Sequence, residues 1–312
     1  MYNGVINVYK EKGYTSFDVV ARLRGILKQK KIGHTGTLDP DAEGVLVVCL
    51  GKATKLCDIL TDKDKRYDAV LRLGMTTDTE DSSGKVLSQS EVTVSEQEVS
   101  RAVLSFVGEY DQIPPMYSAI KVDGKKLYEL ARAGIEIERK PRRVIIHDIE
   151  IKEINLPYVT FSVSCGKGTY IRSLCRDIGD KLGCGGIMDS LVRSSVNIED
   201  SGLRFELDNA IKLDDIETMV KNNTINDHII PVAAVFPKGI RVCADESGDK
   251  KLKNGNVLSY KELFCYDDGK KITKPEGEDN NDYIVYDSDK TFTAIYRYDQ
   301  SVHCLKAWKM FL

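Results

Sequence analysis

The run 45–50 (VLVVCL) is the longest unbroken apolar stretch in the chain, and it limits the fold more than any other feature. It is far short of the roughly 20 residues that a membrane-spanning helix needs, so it reads as a buried strand of a water-soluble protein. Residues 1–12 carry no basic cap followed by an apolar segment, so no secretory signal is expected. Hydrophobic residues make up 42% and charged residues 30%, too apolar and too balanced for a disordered chain. At about 150 residues per domain, 312 residues suggest one large domain, or a large one with a small one.

The eight cysteines include no pair at CxxC spacing, so neither a zinc knuckle nor a thioredoxin-type motif is indicated. Scattered thiols of a reducing, cytoplasmic compartment are the better reading. His34, His147, His228 and His303 show no ligand spacing, and no metal site is expected.

Net charge is −3, which speaks weakly against a polyanionic partner. Its distribution says more. Seven basic side chains face three acidic ones across 1–40, and eight face four across 115–145. A basic face on an acidic chain can still hold phosphates, because phosphate contacts depend on local cations. On charge alone, two solvated surfaces would be the better reading.

Mixed helix and strand patterns run along the chain. A helix is expected from Ser16, with Phe17, Val20, Leu23 and Leu27 on its inner side. Alternation at 66–73 and 158–165 predicts strands. Ser95 and Glu98 form a capping box, with Val94 and Val99 placed for a hydrophobic staple and Val99, Ala102, Val103 and Phe106 as the apolar stripe. Helices are also expected at 169–182 and 208–220. The pattern breaks near 230–238, and the remainder of the chain is short strands, turns and an acidic loop at 276–282. The order of elements predicts an α+β fold with a mixed, largely antiparallel sheet flanked by helices. It has a domain at 1–232 and a small β-rich domain at 233–312.

The most informative stretch is Gly33-His34-Thr35-Gly36-Thr37-Leu38-Asp39-Pro40-Asp41-Ala42-Glu43-Gly44-Val45-Leu46. Pro40 keeps Asp39 out of the helical region, which sets its carboxylate on an extended or turn backbone. His34 and Asp39 are then displayed on a loop braced by the buried strand next to it. No Gly-Lys-Ser/Thr is present, so this is not a nucleotide phosphate loop. Asp39 and Glu43 lie close in sequence, which gives no evidence of the spacing that a glycosidase carboxylate pair requires.

This string resembles the active-site loop of the TruB family of tRNA pseudouridine-55 synthases, which reads close to GHTGxLDPxAxGVL. Three further blocks are similar to that family in the same order. They are Lys65-Arg66-Tyr67 with Leu73-Gly74 and Thr77-Asp78-Thr79; 114–121 (PPMYSAIK) with 124–132 (GKKLYELAR); and 165–174 (CGKGTYIRSL). The resemblance spans about residues 3–200. It implies a pseudouridine-synthase sheet and a PUA-like C-terminal module, although the match over 233–312 is poor. It implies isomerisation of uridine 55 in the TΨC loop, with the base flipped out, Asp39 as catalytic aspartate and no cofactor.

Residue by residue, the resemblance makes Arg172 the partner of Asp39 and Tyr67 the active-site tyrosine. Tyr170 and Leu191 would contact the base, and His34 would fill the place that the flipped nucleotide vacates. It makes 115–143 an insertion that closes over the RNA arm, with Lys121, Lys125, Lys126, Arg132, Arg142 and Arg143 as phosphate contacts, and it adds Lys65 to the substrate contacts. The implied partner is tRNA, with no guide RNA and no membrane, and the implied state is a cytoplasmic monomer. The chain departs from the family pattern at Asp41 and Glu43, which add negative charge near Asp39, and at Leu191-Val192-Arg193-Ser194, which replaces Leu-Arg-Arg. An RNA-folding chaperone, a guide-dependent synthase and an unrelated aspartate enzyme are the alternatives. The last leaves the other three blocks unexplained.

Overall fold

The computed structural model describes residues 1–198, 202–272 and 281–312. Most of the acidic loop expected at 276–282 lies outside the described residues. The strands are β1 (Gly4–Lys10), β2 (Ile32–His34), β3 (Glu43–Leu50), β4 (Lys65–Leu73), β5 (Met75–Thr77), β6 (Val86–Gln89), β7 (Gly108–Gln112), β8 (Lys121–Val122) and β9 (Lys125–Lys126). They continue with β10 (Arg142–Asn155), β11 (Tyr158–Cys165), β12 (Gly186–Ile198), β13 (Leu203–Glu206), β14 (Ile240–Ala244), β15 (Leu263–Cys265), β16 (Asp282–Tyr286), β17 (Phe292–Asp299) and β18 (Cys304–Met310). The helices are α1 (Ser16–Leu27), α2 (Cys57–Thr61), α3 (Glu96–Leu104), α4 (Leu127–Arg132), α5 (Ile171–Lys181), α6 (Leu213–Lys221) and α7 (Glu246–Lys253).

The main sheet runs β1-β3-β12-β4-β11-β10-β7, with β2 beside β3 and β13 beside β12. All of its pairs are antiparallel except β3 with β12. The apolar run of β3 is explained by what covers it. Leu46, Val48 and Leu50 pack with α1 and α6, while Val45, Val47 and Cys49 pack with residues of the C-terminal sheet. A strand buried on both faces loses the usual alternation of apolar and polar residues. β4 keeps that alternation, with Tyr67, Ala69, Leu71 and Leu73 turned into the core formed with α3 and α5.

The C-terminal sheet runs β15-β14-β16-β17-β18. Ile284, Tyr286, Ile295 and Phe311 press on Val45, Val47, Ala53 and Leu56 of the main domain, so the two sheets share an apolar contact. All eight cysteines are free thiols, four of them buried.

Several expectations shift. In α1 the buried apolar positions are Val19, Val20, Leu23 and Leu27, while Phe17 is 64% exposed with Arg24 over its ring. Thr15 caps this helix and pairs with Asp18, and by the helical period Phe17 stands about a quarter-turn from the stripe of Val19, Val20, Leu23 and Leu27, so it faces outward. The helix expected at 208–220 starts at Leu213, because 207–209 closes as a single 3₁₀ turn before the chain extends. The Ser95–Glu98 capping box of α3 is present, with both reciprocal bonds.

Candidate active site

Asp39 stands on the irregular segment between β2 and β3, and its loop is fastened on several sides. Lys10 of β1 is fully buried, and its Nζ donates to Pro40 O at 3.1 Å and Ala42 O at 2.5 Å. Burial lowers its ammonium to about 8, against the pull of Asp39 and Asp41. Ser16 at the start of α1 accepts from Leu38 N at 2.9 Å, and Gly13 N donates to Pro40 O at 2.9 Å. Thr35 N donates to Val47 O at 3.0 Å. Gly36 takes a φ of +71°, a turn that L side chains resist.

Arg172, on the first turn of α5, meets the aspartate. Its Nε lies 2.9 Å from Asp39 Oδ2, with the Arg172 side chain 6% and the Asp39 side chain 39% exposed. The remaining donors are used too. Nη1 donates to Thr79 O at 3.0 Å and lies 3.6 Å from Asp81 Oδ2, while Nη2 donates to Tyr117 O at 2.9 Å. A guanidinium held from three sides has one orientation, and that orientation fixes the carboxylate. Burial lifts Asp39 above the ordinary aspartate range. Arg172 and Lys10 pull it down, and Asp81 pushes it further up.

The segment 77–84 reads in sequence as a polar turn, yet it forms one wall of the site. Asp81 is buried beside Arg172, and Glu80 is buried between Ser173 and Arg176, accepting from Ser173 Oγ at 2.7 Å and pairing with Arg176. The sequence signal was available in the acidic pair Glu80-Asp81 and in Arg172 of the fourth block with Arg176 just after it. What it lacked was the pairing partner.

Tyr67 and Leu191 are neighbours in the core that also holds Leu38 and Ala42, so an apolar wall lies next to the Asp39 loop. Burial raises the Tyr67 phenol, and the Arg193 guanidinium acts against it. Tyr170 caps the start of α5, with Gln112 bonded to both its N–H (2.8 Å) and its C=O (3.0 Å). Burial raises the Tyr170 phenol as well. His34 is half-buried at the end of β2. Burial and the charge of Arg193 both lower it, which favours the neutral ring.

The basic residues divide. Lys121, Lys125 and Lys126 are carried by the β8–β9 hairpin, and Lys126 and Arg132 both sit over the Tyr128 ring. Arg142 begins β10. Arg143 is occupied by Glu109 and Asp111, so its charge is largely spent within the chain. Lys65 is turned inward, donating to Thr61 O at 3.0 Å and to Lys63 O. Burial lowers it to about 8, so it braces the 61–65 turn and is unavailable to a phosphate. Of the two added acids, Glu43 accepts from the Tyr9 hydroxyl at 3.0 Å, and Asp41 is exposed.

No described helix is long and apolar enough to cross a membrane. A family model described as the TruB family pseudouridylate synthase N-terminal domain matches residues 24–171. A second, the tRNA pseudouridylate synthase B C-terminal domain, matches 172–236. The chain is 54% identical over 319 aligned residues to tRNA pseudouridine synthase B of Lachnoclostridium phytofermentans, covering 99% of this chain and all of that protein. It is 49% identical to the protein of the same name from Clostridium novyi, over 94% of both chains. Among solved structures, a chain of a Cbf5-Nop10-Gar1 complex superposes with a TM-score of 0.68 at 26% identity, covering 99% of this chain and 85% of that one.

Proposed function

The chain belongs to the TruB family of pseudouridylate synthases, and on that premise we propose that Asp39 carries the chemistry, with Arg172 holding it and Tyr67, Tyr170 and Leu191 receiving the base. The enzyme is a tRNA pseudouridine synthase that converts uridine 55 to pseudouridine. The reaction breaks the C1′–N1 bond, forms C1′–C5, and moves the C5 proton so that N1 ends protonated. No atom is gained or lost.

The observation that carries the reading is the Arg172–Asp39 pair at 2.9 Å, at the edge of an apolar wall. A fixed carboxylate suits a step in which positive character develops at C1′, whether it attacks that carbon or takes a proton. A uridine inside a folded loop cannot reach it without leaving its stack, which costs a few kcal/mol. A neutral His34 ring at the lip of the site is suited to occupy the vacated place.

The β8–β9 hairpin and α4 present Lys121, Lys125, Lys126 and Arg132 to the backbone of the TΨC arm, with Arg142 beside them, and recognition is by shape. The chain divides at 232/233, with the C-terminal sheet as a PUA-like RNA-contacting module. It acts as a cytoplasmic monomer without a guide RNA. Near full-length likeness at 54% to a protein named tRNA pseudouridine synthase B, against 26% for the complexed Cbf5 chain, favours this.

The test is pseudouridine mapping of an unmodified tRNA transcript incubated with the protein alone, without metal or cofactor. Wild type is expected to give one product site in the TΨC loop, and Asp39→Asn none. A folded wild-type protein that binds tRNA and makes no product would overturn the reading.

A further inference from the structure

Arg193 is the largest fully buried side chain among the described residues. A guanidinium stays charged and presents five donors, so full burial is costly unless the donors are matched. Two matches bracket the Asp39 loop. Nε donates to Val45 O at 2.6 Å and Nη2 to Gly36 O at 3.1 Å. Nη1 is buried with no partner at hydrogen-bonding geometry. No carboxylate among the described residues forms an ion pair with it. Its charge bears instead on four groups of the site region, Lys10, His34, Lys65 and Tyr67.

The backbone of Arg193 is equally central. It lies opposite Gly44 of β3 and opposite Tyr67 of β4, so one residue joins the strand after the Asp39 loop to the strand that carries the tyrosine. The approach at Gly44 is close: a Cβ there would stand 2.4 Å from Arg193 O. A buried ionic group with a surplus donor does not favour stability, and well-packed apolar replacements of such groups are often neutral or stabilising. The arrangement therefore has another use.

We propose that Arg193 is a positioning residue for the isomerisation: it clamps both ends of the Asp39 loop to the β3–β12–β4 seam and orients the Tyr67 hydroxyl. A guanidinium only donates, so where the unmatched Nη1 meets the hydroxyl of Tyr67, the residue opposite it on β4, the hydroxyl accepts and its single proton is left free. The inference rests on the roles given above to Asp39 and Tyr67.

The test compares Arg193→Met, Arg193→Lys and Arg193→Ala with wild type and Asp39→Asn. The readouts are single-turnover pseudouridine formation on a tRNA transcript, tRNA Kd, and thermal midpoint. Arg193→Met is expected to stay folded with a midpoint at or above wild type and an unchanged Kd, while its rate falls about 100-fold, the scale of a small misplacement of a catalytic group. Arg193→Lys should recover part of the rate. Millimolar guanidinium should restore Arg193→Ala, whereas urea, of the same shape but uncharged, should not. A folded Arg193→Met as fast as wild type would overturn the proposal. So would a rate loss in all three variants that follows the midpoint or Kd and is not rescued by guanidinium. If Asp39→Asn is inactive and Arg193→Met is not, this inference alone fails; an active Asp39→Asn would overturn both it and the reading beneath it.

Discussion

Asp39 is subject to opposed influences, and their balance sets how activity should respond to pH. Burial raises it, Arg172 and Lys10 lower it, and Asp81 raises it. Its proton is therefore taken up above the ordinary aspartate range, and the rate should begin to fall at a higher pH than a free aspartate would allow. Removing the Asp81 charge takes away one raising influence. In Asp81→Asn the acid limb of the single-turnover rate should move to lower pH, while the maximal rate falls because Arg172 loses a neighbour. An acid limb unmoved in Asp81→Asn would show that the limb belongs to another group. Arg172→Lys should be worse than a conservative change, since one ammonium cannot replace contacts to Asp39, Thr79, Tyr117 and Asp81 together. A loss of about 100-fold in single-turnover rate is expected. At this scale the sequence named Asp39 and Arg172 and overlooked Asp81 and Arg193. The first pair lies in motif blocks. The second lies in a polar turn and in a strand, where an acid or a base reads as solvated until a partner is brought to it.

Elements show where local rules held and where packing overrode them. The α3 cap was legible because a capping box is made by residues three apart, with no need for the rest of the chain. Ser95→Ala should cost about 1 kcal/mol of stability with no effect on catalysis, measured by urea unfolding and single-turnover rate. Strand β4 was legible from its alternation. Strand β3 was legible as buried, while which layer covered each face was not, since both faces are apolar. The helix α1 misled at Phe17, which lies about a quarter-turn from the stripe that Val19, Val20, Leu23 and Leu27 form. The hairpin β8–β9 and helix α4 appeared in sequence only as a basic stretch. Two-residue strands and a single short helix leave no periodicity to count.

At the scale of the whole molecule, the C-terminal sheet is tied to the catalytic sheet as well as coming after it in sequence. Phe311 is buried in the shared cluster, and Lys309 reaches Lys55 O at 2.7 Å and pairs with Asp58. Phe311→Ala should destabilise by about 3–5 kcal/mol and lower the single thermal midpoint of the protein, because the core it fills includes Val45 and Val47 beneath the site. If a second, separate transition appeared while the first stayed in place, the two sheets would be energetically independent. The family models stop at residue 236, and the sheet lies beyond them, in the part of the sequence where the motif match was poor.

By itself the sequence determined the chemistry-bearing loop, the buried strand behind it, the α3 cap and the class of fold. All of these are set by neighbours within a few residues, or by motif strings that stay together along the chain. The pairing of Asp39 with Arg172, 133 positions away, was legible only through the family motif, and the tertiary structure alone decided the rest: Asp81 enters behind them, and Arg193 reaches back to Gly36 and Val45. Such pairings depend on strand order, on a parallel contact between β3 and β12 inside an otherwise antiparallel sheet, and on burial that makes each charge seek a partner.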